Sequence, residues 1–157
     1  MKKYLVILIL SIITINMSAK GVNSILQKYK SIEGVETFHL NSFMSFFVNL
    51  TIPKGEDSFS IKSLSVITMN KNEVGEKKYN DFKDDIDRMI SKEKLEILLT
   101  VNEDDSKVKI LAKSKGEFIN EMIILSYEEN ETALINFIGK IRLSDINESF
   151  MEKLPIN

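Results

Sequence analysis

The chain has 157 residues, a formal net charge of −2, a single histidine and no cysteine. The lack of cysteine excludes disulfide bonds and thiolate chemistry. The slightly acidic balance differs from the basic surface that nucleic-acid-binding proteins present. This length suits one domain and suffices to bury a hydrophobic core.

The first residues predict a secretory signal peptide. A cationic start (residues 2–3) precedes an apolar stretch (residues 4–17), and small residues follow at Ala19 and Gly21. This arrangement defines a signal peptide, and the apolar stretch is shorter than the roughly 20 residues that a membrane-spanning helix needs. We therefore predict an exported protein, periplasmic or secreted, with residues 1–21 as the signal peptide and cleavage near Ala19 or Gly21. A buried or uncleaved anchor helix is the alternative.

Removal of this segment leaves residues 22–157, which we predict to be a single α+β domain. Its net charge would be −4 or −5, depending on the cleavage position, because the segment contains lysines and no acidic residue. Without cysteine, no lipid anchor can be attached through a thioether. The mature protein is therefore expected to lack a stable lipid anchor.

The first half of the mature chain predicts helices and strands in alternation. We predict a helix over residues 23–31, because apolar side chains recur on one helical face; they are Val22, Ile25, Leu26 and Tyr29. A strand at Val35–Leu40 follows. The Phe-rich segment 42–50 indicates a buried helix, and residues 51–58 a loop.

A second strand and the clearest helix of the chain come next. We predict the strand over residues 61–69, a polar loop over residues 70–78, and a helix that begins near Tyr79. One face of this helix is apolar, and Asp81, Asp84 and Asp85 precede Arg88 and Lys92 along it. That order of charges suits the helix dipole.

The second half predicts a meander of four strands and a closing helix. The strands are expected at residues 95–101, 107–113, 118–127 and 132–138, with Gly139 ending the last, and the helix at residues 145–153. Strands joined by short turns pair antiparallel. The predicted fold class is therefore α+β, a mostly antiparallel sheet with a C-terminal four-stranded meander and about four helices.

Several of these strands are apolar on both faces. Leu95, Ile97, Leu99 and Val101 alternate on one face, whereas Leu98 falls on the other. Either helices cover both faces of the sheet, or one apolar face meets a partner, a ligand or a second copy of the chain.

The order of these elements and the amino-acid sequences of four segments resemble a known family. The Phe-rich "SFMSFF" follows "KYKSIEGVETFHL", and "IKSLSVITM" precedes the amphipathic helix. The hairpins read "KLEILLTVNEDDSKVKILAKSKGEFINEMIILSYEE", and "ALINFIGKIRLSDI" closes the sheet. The mature chain resembles domain-of-unknown-function family 4252, small exported proteins typical of Bacteroidota. The resemblance implies export and, weakly, signalling in envelope stress, but no agreed activity. Relatives are often lipoproteins, and this chain departs from that pattern because it lacks cysteine.

No residue pattern predicts catalysis, a cofactor or a metal. His39 is expected at an edge or half-exposed strand position, without the partners of a catalytic histidine. The aspartates of residues 81–87 indicate a solvated helix face. The segment 102–106 lacks the glycine and glutamate of a calcium loop and is interpreted as a polar hairpin turn. We therefore assign no catalytic, cofactor-binding or metal-binding residue, and expect the core to include Phe82, Ile86 and Leu99.

The leading hypothesis is an exported envelope protein that acts by binding and not as an enzyme, through an apolar sheet face or its loops. A protein partner or self-association is the expected interaction, and nucleic acid is not. One alternative is a hydrolase of envelope material that needs neither cysteine nor metal. Another is a regulator in an envelope-stress pathway.

Overall fold

The computed structural model describes residues 21–40 and 59–142. The helices of these ranges are α1 (Val22–Tyr29), α2 (Lys71–Val74) and α3 (Glu76–Glu93). The strands are β1 (Val35–Leu40), β2 (Phe59–Asn70), β3 (Glu96–Asn102), β4 (Lys107–Lys115), β5 (Phe118–Tyr127) and β6 (Glu131–Arg142). The helices predicted at residues 42–50 and 145–153, the loop at residues 51–58 and almost all of the predicted signal peptide lie outside the described residues.

The six strands form one antiparallel sheet in the order β1-β2-β6-β5-β4-β3. Strands β3 to β6 are consecutive neighbours, as the short turns between them predict. The first hairpin, β1–β2, joins the sheet through β2, which pairs with the last strand, β6. The α+β class is therefore confirmed, and the sheet's two edges are the short strands β1 and β3.

One face of the sheet is covered by α1 and α3. The apolar faces of both helices pack on the strands in one buried cluster, which includes Ile67, Leu111, Ile123, Leu125 and Leu134. All four predicted apolar residues of α1 are buried in it, as are Phe82 and Ile86 of α3. We call this side of the sheet the helix face.

The opposite face, which we call the second face, has its own apolar cluster. It contains Ile110, Ala112, Ile119, Met122, Phe137 and Ile141, all buried. The buried members of this cluster are strand residues, so none of the helices α1 to α3 contributes to it. Leu99, expected in the core, is only partly buried and packs here. The strands that are apolar on both faces therefore contribute to a buried cluster on each face of the sheet.

The predicted loop at residues 70–78 is wrong, because helix begins there. The side chain of Asn70 accepts a hydrogen bond from the backbone N–H of Asn72 and caps the one-turn helix α2. Gly75, with a φ of +83°, turns the chain between α2 and α3. This left-handed backbone favours glycine, and it lets α3 start three residues earlier than Tyr79.

Because α3 starts earlier than predicted, its aspartates lie farther from the helix N-terminus than the sequence suggested. Glu76 is the acidic residue of the first turn, so Asp81, Asp84 and Asp85 lie deeper in the helix than the dipole argument requires. Asp85 has a different role. It accepts hydrogen bonds from Lys28 Nζ at 2.5 Å and Tyr29 Oη at 2.7 Å, and joins α1 to α3.

Gly139 does not end the last strand, which continues to Arg142. An added Cβ at Gly139 would lie 2.1 Å from the carbonyl oxygen of Ser60 on β2. Real Cβ atoms do not approach a backbone oxygen that closely. This glycine is therefore where β2 and β6 come close together, inside the sheet.

A β-bulge in β3 overturns the predicted alternation of that strand. The register shifts between Ile97, which faces Leu111, and Leu99, which faces Ile110. Leu111 belongs to the helix-face cluster and Ile110 to the second face. A bulge places two residues opposite one and reverses the alternation. Ile97 and Leu99 therefore lie on opposite faces and not on one.

Candidate functional site on the helix face

Three polar side chains lie side by side on adjacent strands of the helix face. His39 of β1 is opposite Ser65 of β2, and Ser65 is opposite Asn136 of β6. The Nδ1 atom of His39 lies 2.7 Å from the Oγ atom of Ser65, which is a hydrogen bond. Ser65 and Asn136 are 2% and 3% exposed, whereas His39 on the edge strand is exposed. We call these three residues the polar row.

Asn136 connects the polar row to an acidic group on the next strand. Its side-chain amide donates a hydrogen bond to the carboxylate of Glu121 on β5. Its Oδ1 atom is buried and has no hydrogen-bond partner. An unpaired buried acceptor costs roughly 1–3 kcal/mol. Asn136 is therefore the one member of the row whose polar atoms are incompletely satisfied.

Glu121 belongs to a small charge network at the end of α3. Lys113 Nζ donates to Glu93 Oε2 at 2.9 Å and lies 3.9 Å from Glu121 Oε2. Burial raises the pKa of Glu121 above its usual 4.5, and Glu93 adds to this, while Lys113 and Asn136 oppose it. The hydrogen bond to Glu93 raises the pKa of Lys113. The network therefore stabilises the protonated form of Lys113 and disfavours the ionisation of Glu121.

The polar row contains a hydroxyl and an imidazole, but their order does not suit nucleophilic catalysis. In a catalytic triad the histidine lies between the nucleophile and the orienting acid or amide. Here Ser65 lies between His39 and Asn136, because β2 lies between β1 and β6. At 2% exposure its hydroxyl is also out of reach of a substrate. The row is therefore a buried polar network that ends at the sheet edge.

The other acidic groups that the sequence singled out lie apart from this row. Asp85 pairs with α1 residues and with Arg88 at 2.7 Å, and Asp81 pairs with Lys77 at 3.0 Å. The segment 102–106 joins β3 to β4 as the predicted hairpin loop, and a shallow cavity of about 350 Å³ lies beside it. Across residues 21–40 and 59–142, no group of acidic and histidine side chains is placed to hold a metal ion.

The exposed large apolar side chains of the described residues lie on the two edge strands. Phe38 of β1 is 54% exposed, and Ile97 and Leu98 of β3 are 60% and 41% exposed. The cluster of the second face on β4, β5 and β6 is buried, whereas Phe38, which alternates with His39, is exposed on that face at the β1 edge. The apolar surface that solvent reaches in the described part is therefore at the sheet edges.

Sequence reasoning placed His39 on a strand but missed its partners. The pairing of His39 with Ser65 depends on the register between β1 and β2, which are separated by 18 residues in the chain. Asn136 and Glu121 gave a usable signal. Asn136 lies between the apolar residues Ile135 and Phe137, whereas Glu121 has an apolar neighbour on one side only.

The comparisons with known proteins identify the family. The family model described as "Domain of unknown function (DUF4252)" matches residues 29–149. The chain therefore belongs to this family of α+β domains of unknown function. No curated protein and no solved structure shows significant similarity to the chain. Among the described helices, none is long and apolar enough to span a membrane.

Proposed function

We propose that this protein is an exported envelope protein that acts by binding another protein at the β1 edge of its sheet, and that it is not an enzyme. The observation behind this proposal is the unprotected edge strand β1 with Phe38 exposed at its centre. The sequence suggested an interaction through an apolar sheet face or the loops, whereas the exposed residues of β1 favour the sheet edge.

Export is supported by the sequence of the N-terminus and by the position of the first helix. Helix α1 begins at Val22, directly after the second candidate cleavage position, Gly21. Its first residues are already part of the buried core. Cleavage at Ala19 or Gly21 would therefore remove the signal peptide and keep every described element of the domain.

The edge strand β1 has no proline, lysine or β-bulge to keep it from pairing, and Glu36 is its one charged side chain. Proteins protect exposed edges with proline, lysine or a β-bulge. Strand β1 has the sequence VETFHL, pairs with β2 without interruption, and exposes residues 36–39. The opposite edge, β3, has a bulge next to Leu98. An extended strand of a partner is therefore expected to pair with β1, with Phe38 as its apolar contact.

Site-specific photo-crosslinking tests this proposal. A photoreactive amino acid in place of Phe38, expressed in the native host, is expected to give one discrete adduct in the envelope fraction. The same amino acid in place of Lys92, an exposed residue of α3, is the matched control and should give none. The mass of the adduct distinguishes another protein from a second copy. Absence of an adduct at position 38, or equal labelling at both positions, would contradict the proposal.

The hydrolase alternative has one structural feature in its favour, the hydrogen bond between His39 and Ser65. It requires that Ser65 become accessible, since its hydroxyl is the only candidate nucleophile in the polar row. Replacement of Ser65 by alanine would then abolish turnover of envelope material by the purified protein. If wild type shows no turnover, this alternative is contradicted; if wild type and Ser65→Ala turn over such material equally, Ser65 is not the nucleophile.

The regulator alternative depends on the family resemblance. It predicts that deletion of the gene changes the expression of envelope-stress genes. It also predicts that Phe38→Lys, which alters the proposed contact but not the buried core, has the same effect as the deletion.

A further inference from the structure

Two cations surround one aromatic ring at the end of the sheet away from the polar hairpin loop of residues 102–106. Phe118 begins β5 and lies opposite Arg142 of β6. Lys140 Nζ lies 4.0 Å from the centre of the Phe118 ring, and Arg142 Cζ lies 5.6 Å from it. Both positive charges therefore lie close to the same ring.

Among residues 21–40 and 59–142, neither Lys140 nor Arg142 has a carboxylate partner in an ion pair. The salt bridges of the described residues involve other lysines and Arg88, not Lys140 or Arg142. The Phe118 ring attracts each cation through its negative face, but it cannot neutralise them. Two like charges near one ring repel each other, and an anion between them would remove this repulsion.

Arg142 also has a donor without an acceptor. Its Nε atom is buried and makes no hydrogen bond. A guanidinium binds carboxylate or phosphate through two parallel N–H groups, one of which is often Nε. A buried Nε–H without an acceptor is unfavourable, so this geometry is incomplete until an oxygen atom is supplied.

The surrounding charges make this corner different from the rest of the molecule. The whole chain is acidic overall, and the opposite end of the sheet has Glu103, Asp104 and Asp105 beside Glu128 and Glu129. Lys115, the register partner of Phe118 on β4, adds a third cation at this end and is exposed. Among the described residues at this end, these three cations outnumber the exposed Glu117 of the β4–β5 turn.

From these observations we propose that Lys140 and Arg142, arranged around Phe118, form a binding site for a phosphate group. Arg142 would bind phosphate oxygens through its guanidinium group, and Lys140 would neutralise the remaining charge. Phe118 positions the two cations. This site is separate from the β1 edge and does not depend on the protein-binding function proposed above.

The test is a titration of the folded, 15N-labelled protein with inorganic phosphate at constant ionic strength, with sodium chloride as the reference salt. Saturable shifts of the backbone amides of Phe118, Lys140 and Arg142 are expected with phosphate and not with chloride. Arg142→Gln should weaken binding about tenfold or more, as expected for loss of a charge-assisted bidentate contact. Lys107→Gln, which removes an exposed lysine at the other end of β4, should leave the affinity unchanged.

A parallel arm uses vesicles of zwitterionic lipid with and without an anionic phospholipid. Binding of free phosphate with no preference for the anionic vesicles would assign the site to a soluble phosphate group. Binding only to anionic vesicles, again lost in Arg142→Gln, would assign it to a lipid headgroup. The proposal is overturned if neither probe binds, or if Lys107→Gln and Arg142→Gln weaken binding equally.

Discussion

Gly139 shows how a single residue sets the spacing of two strands. A Cβ atom there would meet the carbonyl oxygen of Ser60 at 2.1 Å and the ring of Phe137 at 2.8 Å. The backbone contact cannot be relieved by a rotamer change, so β2 and β6 would have to separate.

We therefore expect Gly139→Ala to lower the free energy of unfolding by about 2–3 kcal/mol, through overpacking of the sheet. Chemical denaturation of the purified protein measures this. The control is Gly116→Ala, where a Cβ meets nothing within 4 Å and only the φ of +65° is unfavourable; it should cost about 1–2 kcal/mol. A smaller loss at Gly139 than at Gly116 would contradict this account.

Glu121 is the titratable residue of the candidate site whose environment disfavours its charge. Because its pKa is raised in the folded protein, the folded state binds the proton more tightly than the unfolded state. Ionisation of Glu121 therefore lowers stability as the pH rises from the unfolded pKa through the folded one.

Replacement of Glu121 by glutamine removes this ionisation. The free energy of unfolding of Glu121→Gln, measured relative to that of wild type, should be larger at pH 8 than at pH 4. At pH 4 the wild-type carboxyl is already largely protonated, so the substitution changes little. Urea unfolding at the two pH values measures the difference. The same relative stability at both would show that the Asn136 and Lys113 contacts fully offset burial.

Asp85 links two elements, α1 and α3. Burial alone would raise its pKa, but the hydrogen bonds from Lys28 and Tyr29 and the positive charges of Lys28 and Arg88 lower it below the usual 3.8. Burial of Tyr29 and its hydrogen bond to Asp85 raise the pKa of the Tyr29 phenol. The charged form of Asp85 therefore stabilises the contact between the helices.

We expect Asp85→Asn to cost about 2 kcal/mol at neutral pH, the usual range for hydrogen bonds to a charged group. This contribution is complete above the unfolded pKa and is lost as the pH falls through the lower folded pKa. Asp81→Asn, which removes an exposed pair within α3, is the control and should cost about 0.5 kcal/mol or less. Equal losses from the two substitutions would contradict a special role for Asp85.

The elements that could be predicted from the sequence are those with a regular apolar period. Strands β1 and β5 begin and end at the predicted residues, and the apolar face of α1 is the buried one. Helix α2 was missed because its polar sequence has no apolar period; a side-chain cap at Asn70 supports it instead. The role of Gly139 and the bulge beside Leu98 depend on neighbouring strands, which a local pattern does not contain.

The candidate site was less predictable than the fold, for the same physical reason. His39, Ser65, Asn136 and Glu121 come from four strands, and only the sheet order places them together. That the chain has no catalytic or metal-binding residue stays a prediction. The polar row can be recognised only when the register is known.

In the part of the chain that the structure describes, both faces of the sheet have buried apolar clusters and the two edge strands are exposed. The helix face is covered by α1 and α3, and the second face has a buried cluster of its own. The described apolar surface that remains accessible is concentrated at Phe38 on β1 and at Ile97 and Leu98 on β3. Binding at the unprotected edge β1, by an exported protein, is therefore the central claim.

The most direct test is intact mass spectrometry combined with light scattering on protein purified from the native envelope or medium. The account predicts a mature chain that begins at Lys20 or Val22 and a particle heavier than the monomer. It also predicts that Phe38→Lys has the same mature mass but is monomeric. An uncleaved chain in the membrane would contradict export. A mature monomer in both wild type and Phe38→Lys would contradict binding at the β1 edge.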